Sequence, residues 1–197
     1  MLRTLLCAAL VSLIACGPGP ARPAPPVVRA GAELVGTPAR EFIEITWPDG
    51  RPHTLAQLRG RVVLVRFWTD TCPYCKRTAP ALRDLDAEFA ARGLVVIGLH
   101  HPKPRGSSRT AAQVQAFAHA WGMDFLVGLD GSWATIDAWW LAAAERDATS
   151  ASFLIDRRGT IRMVHPGPEY GPTGTQQARR DYAEIRAAIA VLLAEPA

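Results

Sequence analysis

Two cysteines, Cys72 and Cys75, enclose Pro73 and Tyr74, and the two other cysteines, Cys7 and Cys16, lie more than fifty residues upstream. Thiolates attack disulfides and bind soft metals, so a CxxC pair admits disulfide exchange, half of a zinc site or a static bridge. A structural zinc site needs four ligands, and no second CxxC or CxxH follows. A bridge closing so short a loop gains little chain entropy. Redox exchange is the chemistry that the spacing favours, and the elements on either side must equip the sulfurs for it.

Upstream, the apolar run from Val62 to Val65, ending at Phe67 and Trp68, reads as a buried strand because its large side chains follow one another without alternation. Downstream, Thr71 is a candidate N-cap, and Pro73 suits a first helical turn, where its missing N–H costs nothing. Leu82, Leu85 and Phe89 then recur at helical spacing. The pair therefore sits where a strand hands over to a helix. Unpaired N–H groups and the positive end of the helix dipole there lower a cysteine pKa from about 8.5 to roughly 3.5–7.5. Cys72 is the expected exposed nucleophile. Cys75, one turn further in, is the expected buried partner that resolves a mixed disulfide on Cys72.

The remaining chain alternates strand and helix signals. Glu41–Trp47 (EFIEITW) alternates as a half-buried strand, and Pro48, Asp49 and Gly50 turn it. Leu94–Leu99 reads as a second buried strand, Gln113–Trp121 as a helix, Phe125–Leu129 as a short strand and Ile136–Leu141 as helical. Ser152–Ile155 and Ile161–Val164 flank a turn, as a hairpin does, and Tyr182, Ile185, Ile189 and Leu192 mark an amphipathic C-terminal helix. The pattern implies an α/β domain, a central sheet flanked by helices. Adjacent Trp139 and Trp140 cannot both face one core in a regular helix, so at least one is expected to be available to a partner. A net charge of +4 with scattered basic residues gives no nucleic-acid stripe.

Residues 1–15 read as a signal segment. Arg3 precedes an apolar stretch, Thr4–Ala15, that is only about half the roughly 20 residues needed to span a bilayer. Leu13, Ile14, Ala15 and Cys16 resemble a bacterial lipobox, which implies cleavage before Cys16 and acylation of that residue, stable anchoring on a membrane. The proline-rich stretch after it reads as an extended tether over residues 16–33, with the folded domain over 34–197. Cys72 and Cys75 are then the mature domain's remaining thiols, in an exported compartment.

The phrase FWTDTCPYC resembles the FWAxWCxxC site of the thioredoxin superfamily, and Pro80, five residues after Cys75, matches that family's helix-kinking proline. His53–Trp68 and Ser152–Arg162 are similar to the lead-in and late hairpin of the TlpA/ResA group of membrane-anchored thiol-disulfide oxidoreductases. The resemblance implies a thioredoxin-like fold, a mixed sheet with helices on both faces. It implies a redox-active Cys72–Cys75 disulfide, which Trp68, Pro73 and Tyr74, together with Arg66 and Ser150 at two positions that differ from the family, are expected to support. The expected protein is a monomer on the outer side of a bacterial membrane, facing the periplasm or extracytoplasmic space. It acts on exported protein thiols and disulfides with an unidentified redox partner, reduction more than oxidation, and no cofactor or metal is expected.

Two positions depart from the family. Arg66 stands where thioredoxins commonly carry Asp and the TlpA group often Asn, beneath the inner cysteine. Its guanidinium either favours a thiolate on Cys75, making the pair more oxidising, or snorkels outward to a carboxylate such as Asp70. Ser150 stands where the family's cis-proline faces the cysteines and holds the substrate backbone, which opens a copper reading: His100, His101 and His165 could join the thiolates, as in a Sco-like chaperone. Against that reading, the spacing is CxxC rather than CxxxC. Thr69 and Cys72 also match a TxxC fragment of peroxiredoxins, but the proline expected seven residues before the cysteine is Val65.

Overall fold

A computed structural model describes residues 29–142 and 146–196. The signal segment, Cys16 and most of the tether lie outside the described residues. From Arg29 onward the chain lies against the domain: Arg29 pairs with Glu184 and Asp181, and a Cβ on Gly31 would sit 2.6 Å from Val164.

Five strands form one sheet in the order β3-β2-β1-β4-β5. The central strand β1 (Val62–Trp68) is buried along its whole length, as the apolar run from Val62 to Val65 predicts, and the burial includes Arg66. It pairs in parallel with β2 (Leu94–His100), which pairs in parallel with β3 (Leu126–Leu129). On its other side β1 pairs antiparallel with β4 (Ser152–Ile155), the first arm of the hairpin completed by β5 (Ile161–His165). The sheet is therefore mixed.

Alternate residues of β1 feed two cores, as the two-residue strand period requires. Val62 and Leu64 pack with Leu82, Leu85 and Phe89 of α1 (Pro73–Phe89) and with Ile185, Ile189 and Leu192 of a long C-terminal helix. Val63, Val65 and Phe67 face Ile136, Trp139 and Trp140. A third cluster joins Trp68, Cys75 and Ala79 to Val114 and Ala118 of α2 (Ala111–Ala120). Thr110 begins α2 with a capping box closed by Gln113. Between β3 and β4 lies a short helical turn, α3 (Ala134–Ile136); the C-terminal helix is α4 (Gln176–Ala194), capped by Thr175.

Two expectations are corrected. Glu41–Trp47 is not a strand: Thr46 makes an isolated bridge to Leu129, and Glu44 takes a φ of 52° that breaks any extended run. Its alternation reflects Phe42, Ile45 and Trp47 packing onto the first core, and a Cβ on Gly128 would lie 2.6 Å from Ile45. Trp139 and Trp140 are both buried. Asp137–Leu141 is a π-helical turn, whose wider winding swings both indoles inward where a regular helix could not. Trp139 packs on Phe67 and Phe153, and Trp140 on Phe153, so neither is free for a partner.

Candidate active site

The end of β1 and the start of α1 place the two thiols. The N-cap of α1 is Cys72 itself rather than Thr71, because the Cys72 sulfur accepts the Cys75 N–H at 3.3 Å and Pro73 fills the first helical position. Cys75, one turn on, points into the cluster beneath Trp68 and is 3% exposed. Both are free thiols. The Cys72 thiol is driven down from its ordinary 9.0 to about 5, first by a hydrogen bond from Cys75, against burial, and then by the Cys75 N–H and the Ser150 hydroxyl. The same hydrogen bond, with burial added, pushes Cys75 up; Arg66 and Ser150 oppose it. The outer sulfur is thus biased towards its thiolate and the inner one towards its thiol.

Ser150 lies over both sulfurs, its Oγ 3.7 Å from Cys72 Sγ and 3.3 Å from Cys75 Sγ. The described cis peptide bonds fall elsewhere, at Lys103–Pro104 and Gly167–Pro168. Thr149 is held by His101 Nε2 at 2.8 Å, Ala151 accepts the Phe67 N–H at 2.9 Å, and Gly167 (φ 95°) packs so close that a Cβ there would meet the Ser150 carbonyl at 3.2 Å.

Arg66 does not reach Asp70. It is 1% exposed and donates to Ser152 Oγ at 3.3 Å and to the Pro168 carbonyl at 2.7 Å, with its guanidinium 5.4 Å above the Tyr170 ring. Tyr170 completes the group through a 3.1 Å contact with Ser152 Oγ. Asp70 instead binds Arg109 through both Nε and Nη2 and binds His100 at 3.0 Å. Burial opposes ionisation of Asp70, but those two donors outweigh it and hold the carboxyl below its usual range. Trp68 stacks edge-on with His100 and is a packing residue, fitted against Gly98, where a Cβ would lie 3.1 Å from the indole nitrogen. Tyr74 is 44% exposed at the rim, with Arg77 over its ring.

The three histidines of the copper reading are each engaged elsewhere: His100 with Asp70, His101 with Thr149, His165 with Asp181. Among the described residues no group of three or more His, Cys, Asp or Glu side chains converges to hold a metal ion. The partners of Arg66 escaped the sequence reading because Ser152, Pro168 and Tyr170 lie far along the chain and carry no spacing signal; the turn chemistry of Pro166–Pro168 is the one local hint.

A thioredoxin-like sheet with a cysteine biased towards its thiolate at a helix mouth and a second thiol one turn behind it is an arrangement suited to thiol-disulfide exchange. The chain belongs to the AhpC/TSA family, which it matches over residues 35–164. It is 33% identical over 129 residues to the protein DipZ of Mycobacterium tuberculosis, covering 65% of this chain but only 18% of DipZ. It is 28% identical over 141 residues to the thiol-disulfide oxidoreductase ResA of Halalkalibacterium halodurans, covering 72% of this chain and 70% of ResA. Among solved structures, a thioredoxin-family thiol:disulfide interchange protein of Chlorobium tepidum superposes with a TM-score of 0.61 at 22% identity, over 80% of this chain and 97% of its own, a likeness of fold.

Proposed function

We propose that the protein exchanges disulfides with exported proteins from the surface of a bacterial membrane, with Cys72 as the attacking and Cys75 as the resolving residue. The observation that carries this is the division between the sulfurs: Cys72 caps the helix N-terminus, accepts the Cys75 N–H and is held towards its thiolate, whereas Cys75 is buried and held towards its thiol. The Cys72 thiolate attacks a partner disulfide, whose S–S bond breaks and releases one thiolate. Cys75 then loses its proton and attacks the Cys72 sulfur. The bond to the partner breaks, and two electrons have passed from the dithiol to the partner. Run backwards, the same chemistry oxidises a partner dithiol, and we favour reduction as the net direction. Exposed Tyr74 gives the partner an aromatic edge beside Cys72.

Export and anchoring rest on the Arg3–Ala15 segment and the Leu13–Cys16 lipobox. No helix among the described residues is long and apolar enough to cross a membrane, so in this reading acylated Cys16 supplies the attachment.

The test is trapping. Full-length Cys75→Ser, expressed in a bacterial envelope, should accumulate reductant-sensitive mixed disulfides with exported proteins, all through Cys72. Absence of such adducts, or their persistence after Cys72→Ser is added, would remove the reading. Hydroperoxide turnover far faster than that of a free thiol would favour the peroxidase reading instead.

A further inference from the structure

Resolution poses a proton problem. Cys75 attacks as a thiolate, yet it sits as a buried thiol, and its proton needs a destination. Beneath it lies Arg66, and a guanidinium offers donors without an acceptor. The nearby carboxylate of Asp70 is committed to Arg109 and His100. Among the described residues the side-chain oxygen in contact with both sulfurs is Ser150 Oγ. A hydroxyl both accepts and donates, so it can take one proton while giving up another.

We propose that Ser150 relays the Cys75 proton to the departing sulfur. The inference rests on the assignment of Cys72 as nucleophile and Cys75 as resolver. As Cys75 Sγ bonds to Cys72 Sγ, its proton passes to Ser150 Oγ, and the Ser150 hydroxyl proton passes to the partner sulfur. The bond between Cys72 and the partner breaks, and its electron pair stays with the partner, which leaves as a neutral thiol. Ser150 regains a hydroxyl and no bare charge is left in the enclosed site, which burial would penalise. The geometry fits: a partner sulfur would lie about 2 Å from Cys72 Sγ in a mixed disulfide, and the contacts on Thr149, Ala151 and Gly167 hold the segment that carries the Ser150 hydroxyl against both cysteine sulfurs. The other charged or titratable groups of the neighbouring elements are Arg66 on β1, His101 against Thr149, His165 on β5 and Tyr170 against Ser152, its phenol held in the neutral form by burial. Burial keeps both histidines biased towards their neutral forms.

Two departures from the family thereby become one arrangement: Arg66 removes a base from beneath Cys75, and Ser150 supplies a relay above it.

The experiment mixes reduced full-length protein with glutathione disulfide, quenches in acid at intervals and separates free, glutathionylated and disulfide forms by mass, which resolves attack from resolution. In Ser150→Ala, losing a hydrogen bond to the Cys72 sulfur should move the pH profile of attack upward, while an unchanged near-UV circular dichroism spectrum shows that the fold is intact. Resolution near neutral pH should fall about a hundredfold, the scale of a lost acid–base group. Glutathionylated Cys72 should accumulate, and the resolution rate should recover with rising pH as hydroxide takes the proton. Ser150→Thr, which keeps the hydroxyl, should restore most of the rate. Native resolution in Ser150→Ala, or a slowing that is the same at every pH, would overturn the relay. If the native protein itself forms no adduct and no internal disulfide, the exchange reading fails rather than the relay.

Discussion

The sulfur of Cys72 closes the first turn of α1 as an N-cap and, in the proposed reaction, also carries the charge that attacks. That union fixes a pH dependence. Cys72 ionises more readily in the folded protein than in the unfolded chain, so its contribution to the stability of the reduced state is full above its ordinary 9.0 and is lost as pH falls to about 5. Cys75 is shifted upward, so its contribution is present below the ordinary range and disappears as pH climbs beyond it. In urea unfolding of the reduced protein, the gap between native and Cys72→Ala should shrink as pH falls from 9 towards 5 and level off below that. A gap that widens on acidification would contradict the assignment. For Arg66, the same reasoning revises the expectation of a more oxidising pair. Its charge acts on a Cys75 that is protonated at neutral pH, and an ion that is not formed there contributes little to the equilibrium. Arg66→Met should therefore move the reduction potential at pH 7 by less than about 30 mV, the equivalent of one pK unit. In a Cys72→Ser background, however, it should shift alkylation of Cys75 to higher pH.

The elements were legible where one local force decides them. The strand before the cysteines, the helix after them and the late hairpin follow from apolar runs, capping residues and turn residues that operate within a few positions. Glu41–Trp47 was illegible because alternation reports a buried face and not a ladder partner. Its Glu41 carboxylate accepts the N–H groups of Leu55 and Ala56, and the segment lies across the domain as a strap. The inward turn of Trp139 and Trp140 was hidden for a different reason: helical winding can widen under tertiary packing without a residue type that marks it. Ser150 and Arg66 were legible as departures from a family pattern, but their contacts depend on the loop at Gly167–Pro168, which only the folded chain brings near. The caps offer a direct comparison of the two threonines. Thr110→Ala removes a reciprocal cap and should cost about 1 kcal/mol in denaturant unfolding. Thr71→Ala should cost far less, since Cys72 caps α1.

At the scale of the whole molecule, the proposed attachment through Cys16 is testable on its own. If acylated Cys16 holds the domain to a bilayer, Cys16→Ser should move the protein from the membrane to the soluble fraction of cells with its thiol reactivity unchanged; continued sedimentation with membranes would point to another anchor. The chain that follows the tether wraps both borders of the sheet. Thr46 meets Leu129 on β3, while Gly36 and Thr37 exchange backbone bonds with Ile161 on β5. Open borders are where sheets of separate molecules stitch together. A protein confined to a surface meets its own copies at high local density, and there such stitching would be most damaging. By drawing its own leading residues over the outer strands, this chain shortens the rows of amides through which crowded neighbours could zip into aggregates, while Tyr74 beside the cysteines stays exposed.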